Sequence, residues 1–261
     1  MGHTRLGNLP KTQRWTQVVG IIKDSSADVG QVASATIEAA EAGLQRAARD
    51  QGLAQTFWLL TQVTLAARRD DFVASLRASG LTLPNQPTLF DLLGSFSDCV
   101  DAKIRGWGGR SDFGEIAQLS AQETLSSLCG SQIGTLFGTP TEDLQKALKT
   151  FSTTKQFGAL AHTFFATFTS RYLKSFLSRE LSNHVGSGRR FADLSQHTDF
   201  NKALDLHCRQ TAQIIQTFAG SWYSKTEFET GITPEKARDF VHVALKKIRS
   251  ELQRERQDRG A

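Results

Sequence analysis

Cysteine, proline and tyrosine are scarce in this 261-residue sequence: three Cys, five Pro and two Tyr, with a single Met. Cys99, Cys129 and Cys208 are odd in number and far apart. That excludes a disulfide framework and a zinc knuckle, and predicts a reducing, cytoplasmic compartment. No apolar run reaches the roughly 18 residues that a membrane-spanning helix needs. The most apolar stretch, near Phe157–Phe168, is broken by Gly, His and Thr. The opening runs from Met1 to Pro10 without an apolar stretch, so no secretory leader is expected. Gly2 invites myristoylation, but Leu6 stands where that signal wants Ser or Thr.

The familiar catalytic signatures are also missing. The sequence has no Gly-x-Ser-x-Gly elbow, Walker loop or dinucleotide fingerprint, and neither His-Glu-x-x-His nor Cys-x-x-Cys occurs. Asp112-Phe113-Gly114 spells the magnesium tripeptide of kinases, but the Gly-rich loop, the strand lysine and the His-Arg-Asp loop that a kinase requires are absent. Glu180 and His184 are four apart, not the three of a di-iron bundle motif, and the motif is not repeated. His207 and Cys208 are neighbours, so on a helix they point about 100° apart and do not chelate together. No metal and no cofactor is expected. The histidines read as ordinary polar or core residues.

What is present is helical. Apolar residues make up 39% and charged residues 22%, a globular composition. Spacings of three and four recur over 28–49, 53–67 and 88–105, and most strongly over 153–182, where Phe157, Phe164, Phe165, Phe168, Tyr172 and Phe176 share the helical period. Asp24-Ser25-Ser26, Thr88 and Ser111 read as caps, and Thr233-Pro234-Glu235 as a helix start. Further helices are expected over 70–79, 112–128, 141–149, 195–218 and from Pro234 until the chain frays past Arg254. Segment 220–231 reads as a turn-rich connector. No segment alternates cleanly enough for a strand. The expectation is an all-α fold, about eight or nine helices in a compact bundle-like domain without significant β-sheet. Residues 1–23 form an N-terminal arm and 24–261 the helical domain, with 130–140 the best candidate for an internal boundary.

Charge is uneven. Residues 1–150 hold 14 basic and 15 acidic side chains, a net of −1, while residues 151–261 hold 17 and 11, a net of +6, so all the excess positive charge of the chain sits in the C-terminal part. Three features could meet a ligand. The loop His184-Val185-Gly186-Ser187-Gly188-Arg189-Arg190 combines glycines that let amides converge with two cations, a pattern suited to phosphate or carboxylate. The C-terminal Lys246, Lys247, Arg249, Arg254, Arg256 and Arg259 form a basic helical end. Glu251, Glu255 and Asp258 interleave with them, and helix dipoles favour such cations without any partner. Trp15, Trp107, Trp222, Tyr223 and Phe228 fall outside the long expected helices, where a protein partner could bury them. Trp107, bracketed by Arg105 and Arg110, also has the setting of a base-stacking residue.

The opening MGHTRLGNLPKTQRW and the stretch SFLSRELSNHVGSGRRF resemble those of uncharacterised bacterial proteins that sit as small partners in multigene operons, phage-defence operons among them. The resemblance implies a protein partner in a multi-subunit assembly and carries no site residues. Three readings are therefore open. The first is a non-enzymatic accessory subunit of a larger bacterial assembly. The second is a nucleic-acid-binding helical protein using the basic C-terminal part. The third is an enzyme with an unfamiliar helical site around Glu180, His184, Arg189 and Arg190.

Overall fold

The computed structural model describes residues 11–24, 26–106, 111–133 and 140–260. Among these the chain forms eleven helices and no strand, apart from one isolated bridge between Val185 and Phe191. The fold is all-α, with more helices than the eight or nine expected.

Polar side chains set most of the starts. In α1 (Gln13–Lys23) the Thr12 hydroxyl accepts from the Trp15 amide. At α2 (Val29–Ala47) a capping box closes: the Gln31 amide donates to the Asp28 carboxylate at 2.8 Å, and the Asp28 amide to the Gln31 side-chain oxygen at 3.0 Å. Asp50 caps α3 (Gln51–Ala66), which leads through the short α4 (Phe72–Ala78) to α5 (Leu89–Gly106). Thr88 and Asp91 satisfy each other's amides at the start of α5, and Ser111 accepts from the Gly114 amide to open α6 (Asp112–Ile133). Then follow α7 (Thr141–Thr150), α8 (Thr154–Ser182), α9 (Leu194–Thr211), α10 (Gln213–Thr230) and α11 (Pro234–Gly260).

Two stretches differ from expectation. Residues 13–23, read above as part of an arm, form α1, whose Trp15, Val18 and Ile22 are buried. Their spacing of three and four is helical, and Trp15 lies 4.9 Å from Phe176 of α8, ring to ring. Residues 220–230 belong to α10 rather than to a connector. Gly220 there marks a close crossing and not a break, since a Cβ on it would lie 2.3 Å from the Thr154 carbonyl oxygen of α8. The bulk of the candidate boundary, residues 134–139, lies outside the described residues.

The 29 residues of α8 span about 44 Å and run through the middle of the molecule, against α10, α6, α9 and α2. Beside it α3 packs on α6, α11 and α5. The two meet at Phe57, whose ring lies 5.4–6.2 Å from Phe157, Phe164 and Phe165 of α8 and stacks on Phe240 of α11 at 4.8 Å. Most of the large aromatics expected in the core are there: Phe57, Phe96, Phe157, Phe164, Phe165, Phe168 and Phe240 are all essentially fully buried.

Candidate nucleic-acid interface

The glycine loop joining α8 to α9 spends its polar groups internally. Gly186 and Gly188 take φ values of 130° and 73°, which favour glycine. The Gly186 amide donates to the Phe191 carbonyl at 2.8 Å, that of Phe191 to His184 at 3.0 Å, and that of Arg189 to Gly186 at 3.0 Å. These amides close the turn and do not converge on an outside anion. Arg189 donates to the Asn183 carbonyl at 2.6 Å.

Arg190 reaches back across the chain. Its guanidinium donates to the carbonyls of Ile21, Ile22, Asp24 and Ala27 at 2.6–3.3 Å and lies over the rings of Phe191 and Phe200. These carbonyls end α1 and line the link to α2, where helix geometry leaves oxygens unsatisfied and the dipole favours a cation. Burial pulls the Arg190 pKa below its ordinary value, and Asp24 and Asp28 oppose that. Ser26, through hydroxyl and amide, holds the Asp24 carboxyl below its usual range, with Arg190 adding attraction. The anion-binding expectation for Arg190 is corrected accordingly: this side chain is a structural strap. No ion pair among the described residues joins Glu180, His184 and Arg189.

The aromatic set is largely turned inward. Trp15 and Tyr223 are buried, and the half-buried Trp222 packs on Phe57 and Phe240. Trp15 and Tyr223 are core residues, because α1 and α10 are helices that carry them on the inner face, and Trp222 lies at the core's edge. Trp107 lies outside the described residues. Among the described members of the set Phe228 stands in solvent, 92% exposed.

Positive charge instead gathers where α2 and α11 meet. A groove of about 630 Å³ is lined by Gln45, Arg46 and Arg49 at the end of α2 and by His242, Lys246 and Arg249 of α11. Arg46 lies in the last turn of α2 and Arg49 follows two residues past its end, while Lys246 and Arg249 are three residues apart on α11, about 4.5 Å along the axis. Leu44 and Leu245 form the buried floor, and α11 carries Ala244 and Ile248 on the same inner face. Of the lining cations Arg249 meets a carboxylate, that of Glu41 at 3.8 Å, which also pairs with Arg14 at 3.1 Å. No ion pair among the described residues engages Arg46, Arg49 or Lys246. The result is a shallow trough whose rim carries uncompensated cations from the end of α2 and from α11, a surface that attracts anions and weakens with salt.

Lys246 and Arg249 belong to the basic C-terminal stretch seen in the sequence. Arg46 and Arg49 were missed there, hidden in an alanine-rich helix from the part of the chain with net negative charge. Their spacing of three at a helix C-terminus was the available signal, but only the tertiary fold sets them against α11. Among the described residues no three His, Cys, Asp or Glu side chains gather in a way that could hold a metal ion, and no helix is long and apolar enough to cross a membrane. No protein-family model matches the chain, and no curated protein or solved structure is significantly similar to it.

Proposed function

We propose that this chain is a non-enzymatic, cytoplasmic helical subunit that holds a nucleic-acid backbone in the α2–α11 groove and serves within a larger bacterial assembly. The groove carries this reading: Arg46 and Arg49 at and just past the end of α2 face Lys246 of α11, and none of the three is engaged in an ion pair among the described residues. A set of that kind suits a polymer of closely repeating phosphates better than a single ion, and it reads charge rather than sequence. The three cysteines are buried and form no disulfide, in keeping with a reducing compartment. Membership of an assembly rests on the resemblance of the opening and of the α8–α9 junction to small operon partners.

The test is fluorescence anisotropy with labelled single-stranded and duplex oligonucleotides across a salt series. Each phosphate contact contributes about 0.7–0.9 to the slope of log affinity against log salt. The triple variant Arg46→Ala, Arg49→Ala, Lys246→Ala should therefore flatten the slope by about 2–3. Absence of binding at low salt, or an unchanged slope in the folded variant, rejects the proposal.

A further inference from the structure

A second recess opens at the other end of α3, about 24 Å along that 16-residue helix from the groove side. Its volume is about 420 Å³, and its walls include Arg68 and Arg69 just past α3, Thr154 at the start of α8, and Tyr223, Glu227 and Phe228 of α10.

Three features make this recess unlike ordinary surface. Phe228 is 92% exposed, the most exposed large apolar side chain among the described residues, whereas the core aromatics of the same chain are essentially fully buried. Arg68 and Arg69 form no ion pair among the described residues. Nor are they needed to cap α3: the Gln145 side-chain amide already donates to the carbonyls of Ala67 at 3.3 Å and Arg69 at 2.8 Å. The floor is polar and rigid. Tyr223 is buried, its ring stacked on Phe157 at 3.9 Å, and its hydroxyl bonds the Thr64 hydroxyl at 3.1 Å. Arg68 and Arg69 stand exposed beside this floor.

We infer that this recess binds a nucleoside monophosphate, with its base stacked on Phe228 and its phosphate held by Arg68 and Arg69. A flat exposed ring offers a face to a purine or pyrimidine, and two arginines with fixed forks suit a phosphate. The amino end of α8 at Thr154 adds its positive dipole on the same side. Glu227, one turn beyond Tyr223, can accept hydrogen bonds from ribose hydroxyls or a base amine, and its charge disfavours a longer polyphosphate. The volume sits near the small end of ligand pockets, enough for one nucleotide.

Calorimetric titration of the full chain with adenosine monophosphate, ribose phosphate, adenosine and inorganic phosphate tests this. Adenosine monophosphate should bind most tightly, and loss of either its base or its phosphate should weaken binding about tenfold or more, the size of one stacking contact. Phe228→Ala should cost about tenfold in affinity with thermal stability unchanged, and Phe228→Tyr should restore it. Arg69→Ala should erase the advantage of the nucleotide over adenosine. The groove triple variant should bind the nucleotide as the parent does, which separates this site from the proposed backbone groove. Equal affinity for adenosine monophosphate and inorganic phosphate overturns the inference, as does unchanged affinity in Phe228→Ala.

Discussion

Replacing Gly158 by alanine should cost stability, although alanine is the better helix former. Gly158 lies on α8 where α10 crosses, and an added Cβ would stand 2.2 Å from the Gln216 carbonyl oxygen. The crossing is reciprocal, because Gly220 of α10 faces the Thr154 carbonyl of α8 in the same way. Backbone cannot swing aside as a side chain can, so the helices must part by about 1 Å, enough to forfeit a quarter to a half of each dispersion contact they share. Over several dozen atom pairs the loss is about 2–3 kcal/mol. The helix-propensity gain of about 1 kcal/mol offsets part of it, leaving a net destabilisation of about 1–2 kcal/mol, within the usual range for overpacking. Gly94 on α5 is the control: it is helical, exposed and has nothing within 4 Å of an added Cβ. Gly94→Ala should stabilise by about 0.5–1 kcal/mol. Urea unfolding followed by circular dichroism reads both changes. The double variant Gly158→Ala, Gly220→Ala should cost less than the sum of its singles, since one separation relieves both clashes. A Gly158→Ala protein as stable as Gly94→Ala would refute the close-crossing argument.

Three further outcomes follow from the side chains. Arg190→Ala should lose about 2–3 kcal/mol, the worth of its charged hydrogen bonds, and hydrogen exchange should quicken selectively in α1; α1 amides protected as in the parent would count against the strap. Burial pushes both tyrosines, Tyr172 and Tyr223, up to about 12. The folded state therefore keeps protons that the unfolded chain releases, so stability is full below about pH 10 and falls as pH rises towards 12. Tyrosinate absorbance should appear together with loss of helix, and a separate titration near pH 10 in folded protein would contradict this. Cys129 is pushed up to about 12 by burial, and Cys99 and Cys208 are also buried. No thiol should react with a disulfide reagent at neutral pH until the chain unfolds, and prompt reaction of the native protein would show a looser core.

Local signals in the sequence found much of the fold. The Thr233-Pro234 start, the Thr88 cap and the seven-turn aromatic stripe of α8 are all local patterns, and the helices stand where those patterns put them. Signals that depend on a partner element were misread. Gly220 resembles a breaker until the Thr154 carbonyl is seen against it. Arg190 resembles a solvated loop cation, and only the fold brings the end of α1, some 170 positions earlier, beneath it. The separation of α9 from α10 at Ala212 has no proline or glycine to announce it. The proposed groove was half visible for the same reason: α11 shows its cations in a basic stretch, while Arg46 and Arg49 acquire meaning only opposite them.

The stack of Phe57 on Phe240 also bears on how the chain is made. The two rings are separated by roughly 180 residues, which a ribosome adding about 5–20 residues per second takes on the order of 10–40 s to supply. During that interval α2, α3 and the aromatic side of α8 can form, yet the face that α11 finally covers lies open. The period of greatest vulnerability for this protein is thus its own synthesis, when an unsealed aromatic surface is offered to neighbouring nascent chains and to chaperones. Yield in the cell then depends on how quickly the last helix arrives, and slow codons before residue 234 would lower it without altering a single side chain.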